Sequence, residues 1–308
     1  MTMYLPPFEV YILGTSSAIP AFDRYPSSQF IHINGSYILI DCGEGTQMQL
    51  KKYKLPSNRI DLILISHLHG DHIFGLPGLL TSLSLLQRQK PLKIIAPQSL
   101  KIILDTIFTE SEAKISYPIE YIFTQPTHPE LIFENDKFKI STVPLIHRLP
   151  TTGFVIEEQP ADRKIIKEKV QEYAIPIHQF NRLKKGLDAE DEQGNIIKNE
   201  WVTQDPPPTR KYVYFSDTAL LSSIPEVAFN ADVLYHETTF LKEHQDLAKI
   251  TMHSTSIDAA QTAIKIKAKK LLVGHYSSRY ENLDLLLNEA KTIFENTELA
   301  KEGKKIVV

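Results

Sequence analysis

Apolar residues along this chain fall mostly in short runs bounded by turn formers, and only a few segments repeat at helical spacing. Phe8–Leu13, Gln29–Ile33 and Tyr37–Ile40 read as strands, with Asn34-Gly35 as the hairpin turn between the last two. Arg59–Ile65 predicts a buried strand, Leu76–Arg88 a helix, Leu92–Ala96 a strand, and Ser99–Phe108 a helix with Ser99 as its N-cap. Strands are expected at Glu120–Phe123, Leu131–Glu134, Phe138–Val143 and Gly153–Ile156. The second half repeats the theme, with strands at Lys211–Phe215, Val233–Tyr235 and Lys270–Val273. Its helices are Ile257–Lys267, entered through Thr255 and Asp258 at capping-box spacing, and Asn282–Phe294. Strands then helices, twice over, predict an α+β fold of two sheets packed face to face with helices outside.

Ala161–Trp201 breaks this pattern, with little strand signal and much charge. Ala161–Gly186 carries Arg163, Lys164, Lys167, Lys169, Arg182, Lys184 and Lys185 against Asp162, Glu168 and Glu172, and the following Leu187–Glu200 is acidic. A solvated insertion and an arm that meets a polyanion both fit this charge run. Across 308 residues, 34 Lys and Arg against 37 Asp and Glu leave a net charge of -3, so nucleic-acid binding would need such a local patch. With 42% hydrophobic and 23% charged residues the chain is an ordinary globular one. A single cysteine, Cys42, excludes a disulfide framework and suits a reducing compartment. The opening MTMYLPPFEV has no leader-like apolar region, and no apolar run is long enough for a bilayer, so a cytoplasmic protein without membrane contact is expected.

The densest chemistry is His67-Leu68-His69-Gly70-Asp71-His72, placed directly after a predicted strand. Loop backbone at a strand end is not tied to one face and can splay such donors around a cation. Imidazole with carboxylate suits Zn(II), with Mn(II), Fe(II), Co(II) or Ni(II) as alternatives. Four ligands are too many for one open catalytic ion and too few for two. His147, Asp217 and His275, each just past a predicted strand, are the further candidates. Taken singly, Asp217 reads as a helix cap and the two histidines as surface residues; their shared position groups them. His32, His128, His178 and His244 fit no ligand pattern, His236 reads as a packed strand residue, and Cys42 as a small buried one. Asp41-Cys42-Gly43-Glu44-Gly45 reads as a tight turn beneath the ligands, with Asp41 supporting them.

These residues resemble the metallo-β-lactamase superfamily and, more narrowly, the ribonuclease Z family. Leu13-Gly14-Thr15 resembles that family's first loop and Ser66–Leu80 its metal motif. Tyr235-His236-Glu237-Thr238-Thr239-Phe240 resembles its glutamate motif, Met252-His253-Ser254-Thr255 its histidine motif, and His275-Tyr276-Ser277-Ser278-Arg279-Tyr280 its terminal block. The resemblance runs over essentially the whole chain. It implies one metallo-β-lactamase domain over 1–308, an αββα four-layer sandwich, with a projecting substrate-binding arm inserted at 161–201. It further implies two divalent ions per subunit, expected to be Zn(II). His67, His69 and His147 hold one, Asp71, His72 and His275 the other, and Asp217 bridges them. The implied activity is an endoribonuclease that removes the 3′ trailer from precursor tRNA by attack of a bridging hydroxide, leaving a 3′-hydroxyl on the tRNA and a 5′-phosphate on the trailer. In that reading Asp71 accepts a proton from the nucleophile, and His253, polarised by Glu237, protonates the leaving oxygen. Arg279, Lys184 and Lys185 contact RNA, and a homodimer is expected in which one subunit's arm serves the other's active site. Two departures are visible: Ile175–Phe180 lacks the glycine of the family's arm tip, and Ser216 stands where the family has glycine before the bridging aspartate.

Two other readings stay open. One is a phosphodiesterase on other nucleic-acid or small diester substrates, and the other a metal-stabilised RNA-binding module without catalysis. A lactamase or thioesterase needs neither the basic segment nor the Glu237/His253 pair.

Overall fold

A computed structural model describes residues 6–308; Met1–Leu5, the start of the stretch read above for a leader, lie outside the described residues. The strands of the body, in chain order, are β1 Phe8–Gly14, β2 Ser28–Ile33, β3 Ser36–Ile40, β4 Leu62–Leu64, β5 Leu92–Ala96, β6 Ile119–Phe123, β7 Leu131–Glu134, β8 Phe138–Leu145, β9 Thr151–Glu158, β10 Lys211–Phe215, β11 Val233–Glu237, β12 Lys270–Gly274, β13 Thr297–Leu299 and β14 Lys305–Val307. They form two seven-stranded sheets, ordered β14-β1-β2-β3-β4-β5-β6 and β13-β12-β11-β10-β9-β8-β7. Each sheet has a parallel half, β3 to β6 in one and β10 to β13 in the other.

The alternation of side chains along each strand explains the layers. One set of alternate residues, Val10, Ile12, Ile31, Ile38 and Leu64 from the first sheet, meets Phe154, Ile156, Tyr212, Tyr214 and Leu272 from the second in one buried core. The opposite faces are covered by helices. Leu39, Ile63 and Ile94 pack with Leu76, Leu80, Leu83, Leu100 and Leu104 over the first sheet. Val213, Leu234, Leu271 and Val273 pack with Ala259, Ala260, Ala263 and Leu286 over the second. The molecule is thus the α+β, αββα sandwich expected from the sequence.

Local signals succeed where they are backed by geometry. Asn34 and Gly35 take φ of 48° and 79°, the two left-handed residues a tight β2–β3 hairpin needs. Thr255 and Asp258 form the reciprocal capping box of helix Ser256–Lys265. Ser99 is not an N-cap. Gln98 already has helical backbone and the first turn bonds back to Pro97, so Ser99 lies inside the helix Ser99–Glu110. The strand expected over Arg59–Ile65 shortens to β4, because Pro56 opens a helical turn at Ser57–Arg59. The helix from Leu76 stops at Leu85, where Gln87 turns left-handed and the buried Arg88 guanidinium donates to the carbonyls of Asn58, Ile60, Lys90 and Pro91.

Residues 158–209 separate as a compact unit of their own. This unit has more regular structure than its charge suggested. Lys164–Ile165 pairs with Thr203–Gln204, and Ala189–Glu190 with Ile196–Ile197. Short helices at Lys167–Glu172, Phe180–Lys184 and Asn199–Val202 enclose a small core of Val170, Ile175, Leu183, Ala189, Ile197 and Val202. No helix among the described residues is long and apolar enough to cross a membrane.

Candidate metal centre and general acid

The candidate donors all sit where strands end. His67–His72 follow β4, His147 follows β8, Asp217 follows β10 and His275 follows β12, so the C-terminal ends of these four strands meet at one place. His67, His69, His147 and Asp217 offer ligand atoms within 4.8 Å of one another, and so do Asp71, His72 and His275. Asp217 divides its two oxygens between the groups. Oδ2 lies 3.6 Å from His67 Nε2 and 3.7 Å from His147 Nε2. Oδ1 lies 3.3 Å from His72 Nε2 and 3.1 Å from His275 Nε2. On the far side Asp71 Oδ2 is 3.5 Å from His72 Nε2 and 3.6 Å from His275 Nε2.

These residues fit divalent cations. His72 Nε2 and His275 Nε2 are buried with no hydrogen-bond partner, a costly state for protein alone and an expected one for a ligand nitrogen. Burial holds His67, His69 and His147 below the ordinary histidine value, which keeps them in the neutral form that ligates. His72 behaves differently. Burial pushes it down, but Asp71, Asp217 and Asp41 outweigh burial and hold it well above that value, so a cation bound there displaces a proton.

The opposite ring nitrogens of His67, His72, His147 and His275 are held. His72 Nδ1 donates to Asp41 Oδ2 at 2.8 Å, and Asp41 also accepts from Ser66 N at 2.8 Å and Tyr214 Oη at 2.8 Å. His147 Nδ1 donates to the Met252 carbonyl at 3.0 Å, and His275 Nδ1 to Thr239 Oγ1 at 3.1 Å. Such partners fix tautomer and ring orientation. The turn that supplies Asp41 is pressed against the histidine loop: a Cβ on Gly43 would stand 2.4 Å from the Asp71 carbonyl, and one on Gly75 2.1 Å from the Gly43 carbonyl. Cys42 is buried there and burial pushes its thiol up to about 12, so it is not a nucleophile.

His253 lies beside this cluster, its ring centroid 4.9 Å from that of His147. Its Nδ1 donates to Glu237 Oε1 at 2.8 Å. Glu237 is fully buried and also accepts from Thr218 N at 2.8 Å and Thr239 Oγ1 at 2.5 Å. Burial disfavours the His253 imidazolium, yet the Glu237 carboxylate overrides it and lifts the ring to about 9. His253 could also complete a donor group with Asp217 and His275. Held at Nδ1 by Glu237 and raised above the ordinary histidine value, the ring is suited to donate a proton.

A cavity of about 430 Å³ opens over the donors, lined by His69, Asp71, Asp217, His253 and the exposed Phe74. A second, of about 510 Å³, adjoins it around His253, Ser278 and Arg279. Arg148 lines both. It was not singled out from the sequence, where an arginine next to a candidate ligand carries no signal beyond its position after His147. Arg148 and Arg279 are exposed and have no ion-pair partner among the described residues. Lys184 and Lys185 lie in the unit formed by residues 158–209; Lys185 pairs with Asp162 at 2.7 Å, and Lys184 is exposed and unpaired among the described residues. Arg163 and Lys169 also pair with acids, which trims the excess charge there to Lys164, Lys167, Arg182 and Lys184. The bland histidines behave as expected: His32 stacks on Tyr37, His236 is buried, and His128 and His178 are exposed.

A family model for the anti-Pycsar protein Apyc1 matches residues 8–174, which include His67–His72 and His147 but end before Asp217, Glu237, His253 and His275. Ribonuclease Z of Bacteroides thetaiotaomicron is 39% identical over 301 residues, covering 98% of this chain and 95% of that protein. Human tRNase Z, short form, superposes with a TM-score of 0.69 at 27% identity, covering 97% of this chain and 98% of that one. The metallo-β-lactamase fold protein YhfI from Bacillus subtilis superposes at 0.68 with 20% identity, covering 98% and 100%, and so shares the fold. The whole-chain match, second-half motifs included, shows that this chain belongs to the ribonuclease Z family.

Proposed function

We propose that the chain is a metal-dependent endoribonuclease that removes the 3′ trailer from precursor tRNA, leaving a 3′-hydroxyl on the tRNA and a 5′-phosphate on the trailer. One observation carries the reading: a single carboxylate, Asp217, shared between two donor groups, with a carboxylate-held histidine beside it on the same cavity. His67, His69 and His147 would hold one divalent ion and Asp71, His72 and His275 the other, with Asp217 between them; the donor set suits Zn(II). Bound there, such ions lower the pKa of water and polarise phosphate oxygens.

The residues then divide the work. Burial raises the Asp71 carboxyl, but His72 and His275 outweigh it and hold Asp71 well below the usual carboxylate range. It therefore acts mainly as a ligand and an orienter of water, and is a weak proton acceptor. His253, protonated at neutral pH, gives its Nε2 proton to the departing ribose 3′-oxygen, since Nδ1 is committed to Glu237. Glu237 sets that tautomer and keeps the ring charged until transfer. Arg148 and Arg279, on the cavities either side of His253, suit the phosphates that flank the cut. The exposed basic residues of 158–209 suit further RNA phosphates, as a substrate-binding arm would.

A homodimer in the cytoplasm is part of this reading, with its assembly state open to light scattering. The test of the activity is a radiolabelled precursor tRNA incubated with purified protein and end-mapped. A single cut at the 3′ side of the acceptor stem, abolished by chelator and absent in His253→Ala, supports it. Cleavage of a small diester with no cut in the precursor favours a phosphodiesterase with a different substrate.

A further inference from the structure

The two oxygens of Asp217 are not equivalent. Oδ2 faces His67 and His147, and Oδ1 faces His72 and His275. Oδ1 also accepts from Ser216 Oγ at 2.9 Å. Among the described residues, Ser216 is the one side chain, candidate ligands apart, that donates to this carboxylate. Ser216 is 0% exposed and Asp217 2% exposed, so bulk water does not reach the bond. Ser216 lines neither cavity at the site, and so stands away from the surface a substrate would meet. It is also the position at which the sequence departs from the ribonuclease Z pattern, whose glycine has no donor to offer. The last torsion of an aspartate is broad, and its carboxylate turns easily about it. A carboxylate that must serve two donor groups at once needs a partner that fixes its plane.

We propose that Ser216 is a positioning residue for the shared carboxylate: its hydroxyl fixes the plane of Asp217 and makes the ion on the Oδ1 side depend on it more than the ion on the Oδ2 side. The bond takes one lone pair of Oδ1 and leaves the other for a cation, while Oδ2 keeps both. Without the hydroxyl the torsion is freed and Oδ1 loses a partner in a dry site. The single oxygen removed opens less room than a water needs, so solvent does not replace the bond. The proposal deepens the two-ion reading and rests on it.

The test titrates the full-length chain, stripped of metal, with Zn(II) in competition with a chromophoric chelator. His147→Ala keeps the donors on the Oδ1 side, and His275→Ala keeps those on the Oδ2 side. Adding Ser216→Ala is expected to weaken the remaining ion about tenfold in the first background and less than about twofold in the second. Ser216→Thr, which keeps the hydroxyl, restores the affinity; if it fails to fold, the two alanine arms decide alone. Unchanged affinity on the Oδ1 side overturns the proposal, including where the melting temperature of the stripped chain falls, since Ser216 is then a packing residue. Tighter binding there also overturns it, because the hydroxyl then competes with the ion for Oδ1. Equal losses in both backgrounds overturn the assignment to one oxygen. Wild-type stoichiometry separates the two levels: fewer than two ions per chain sinks the two-ion reading and the proposal with it, whereas two ions with unmoved affinities sink the proposal alone.

Discussion

Replacing Glu237 by glutamine removes one charge from a fully buried site and leaves the side-chain shape almost intact. Glu237 lifts His253 to about 9 against the burial that opposes it. Without the carboxylate the ring falls to the ordinary value near 6.5 or lower. A drop of some 2.5 units corresponds to about 3 kcal/mol of differential stabilisation of the imidazolium. At pH 8 the protonated fraction goes from roughly 0.9 to roughly 0.03, so a step that needs His253 as acid slows about thirtyfold there. The sign is fixed. A raised histidine carries its charge below the folded value and loses it as pH rises, so the wild-type rate declines above about pH 9 and the variant's decline moves down by two units or more. Glutamine keeps one acceptor oxygen for donors that include Thr218 N and Thr239 Oγ1, so the melting temperature also drops by several degrees. The assay is single-turnover precursor cleavage from pH 5.5 to 10, with melting curves at each pH. A uniform loss of rate with the alkaline limb unmoved would refute the role of Glu237 as the group that keeps His253 charged.

Three further outcomes follow from particular contacts. Asp41→Ala frees the His72 ring and strips partners from Ser66 and Tyr214, and is expected to weaken metal affinity about 10- to 100-fold, read by competition with a chromophoric chelator. Lys184→Ala combined with Arg182→Ala removes two of the unpaired cations of residues 158–209; it should raise precursor KM and flatten the slope of log KM against log salt by about one to two, whereas an unchanged slope assigns phosphate contact elsewhere. Thr255→Ala breaks the capping box and should cost about 1 kcal/mol in urea denaturation.

Much of the site was legible in the sequence because a strand end announces itself. A strand-forming run followed by a polar donor places that donor at a strand end, and His67, His147, Asp217 and His275 all sit there. The order of strands within a sheet was not legible, since register and neighbour depend on contacts far apart in the chain. Nor was the regular structure of residues 158–209, whose strands are two residues long and whose core rests on six small contributions. Arg148 is an exposed arginine whose meaning comes entirely from the two cavities it borders. The Ser99 expectation failed because an N-cap preference acts only where the backbone has not already turned helical, and Gln98 has.

The most direct test of the account measures metal content and precursor cleavage together in the wild type and in Asp217→Ala. The shared carboxylate predicts about two divalent ions per wild-type chain by mass spectrometry and a marked loss in the variant, with precursor cleavage down by at least three orders of magnitude. A variant that retains both ions, or one that releases the trailer at the wild-type rate after losing them, would contradict it.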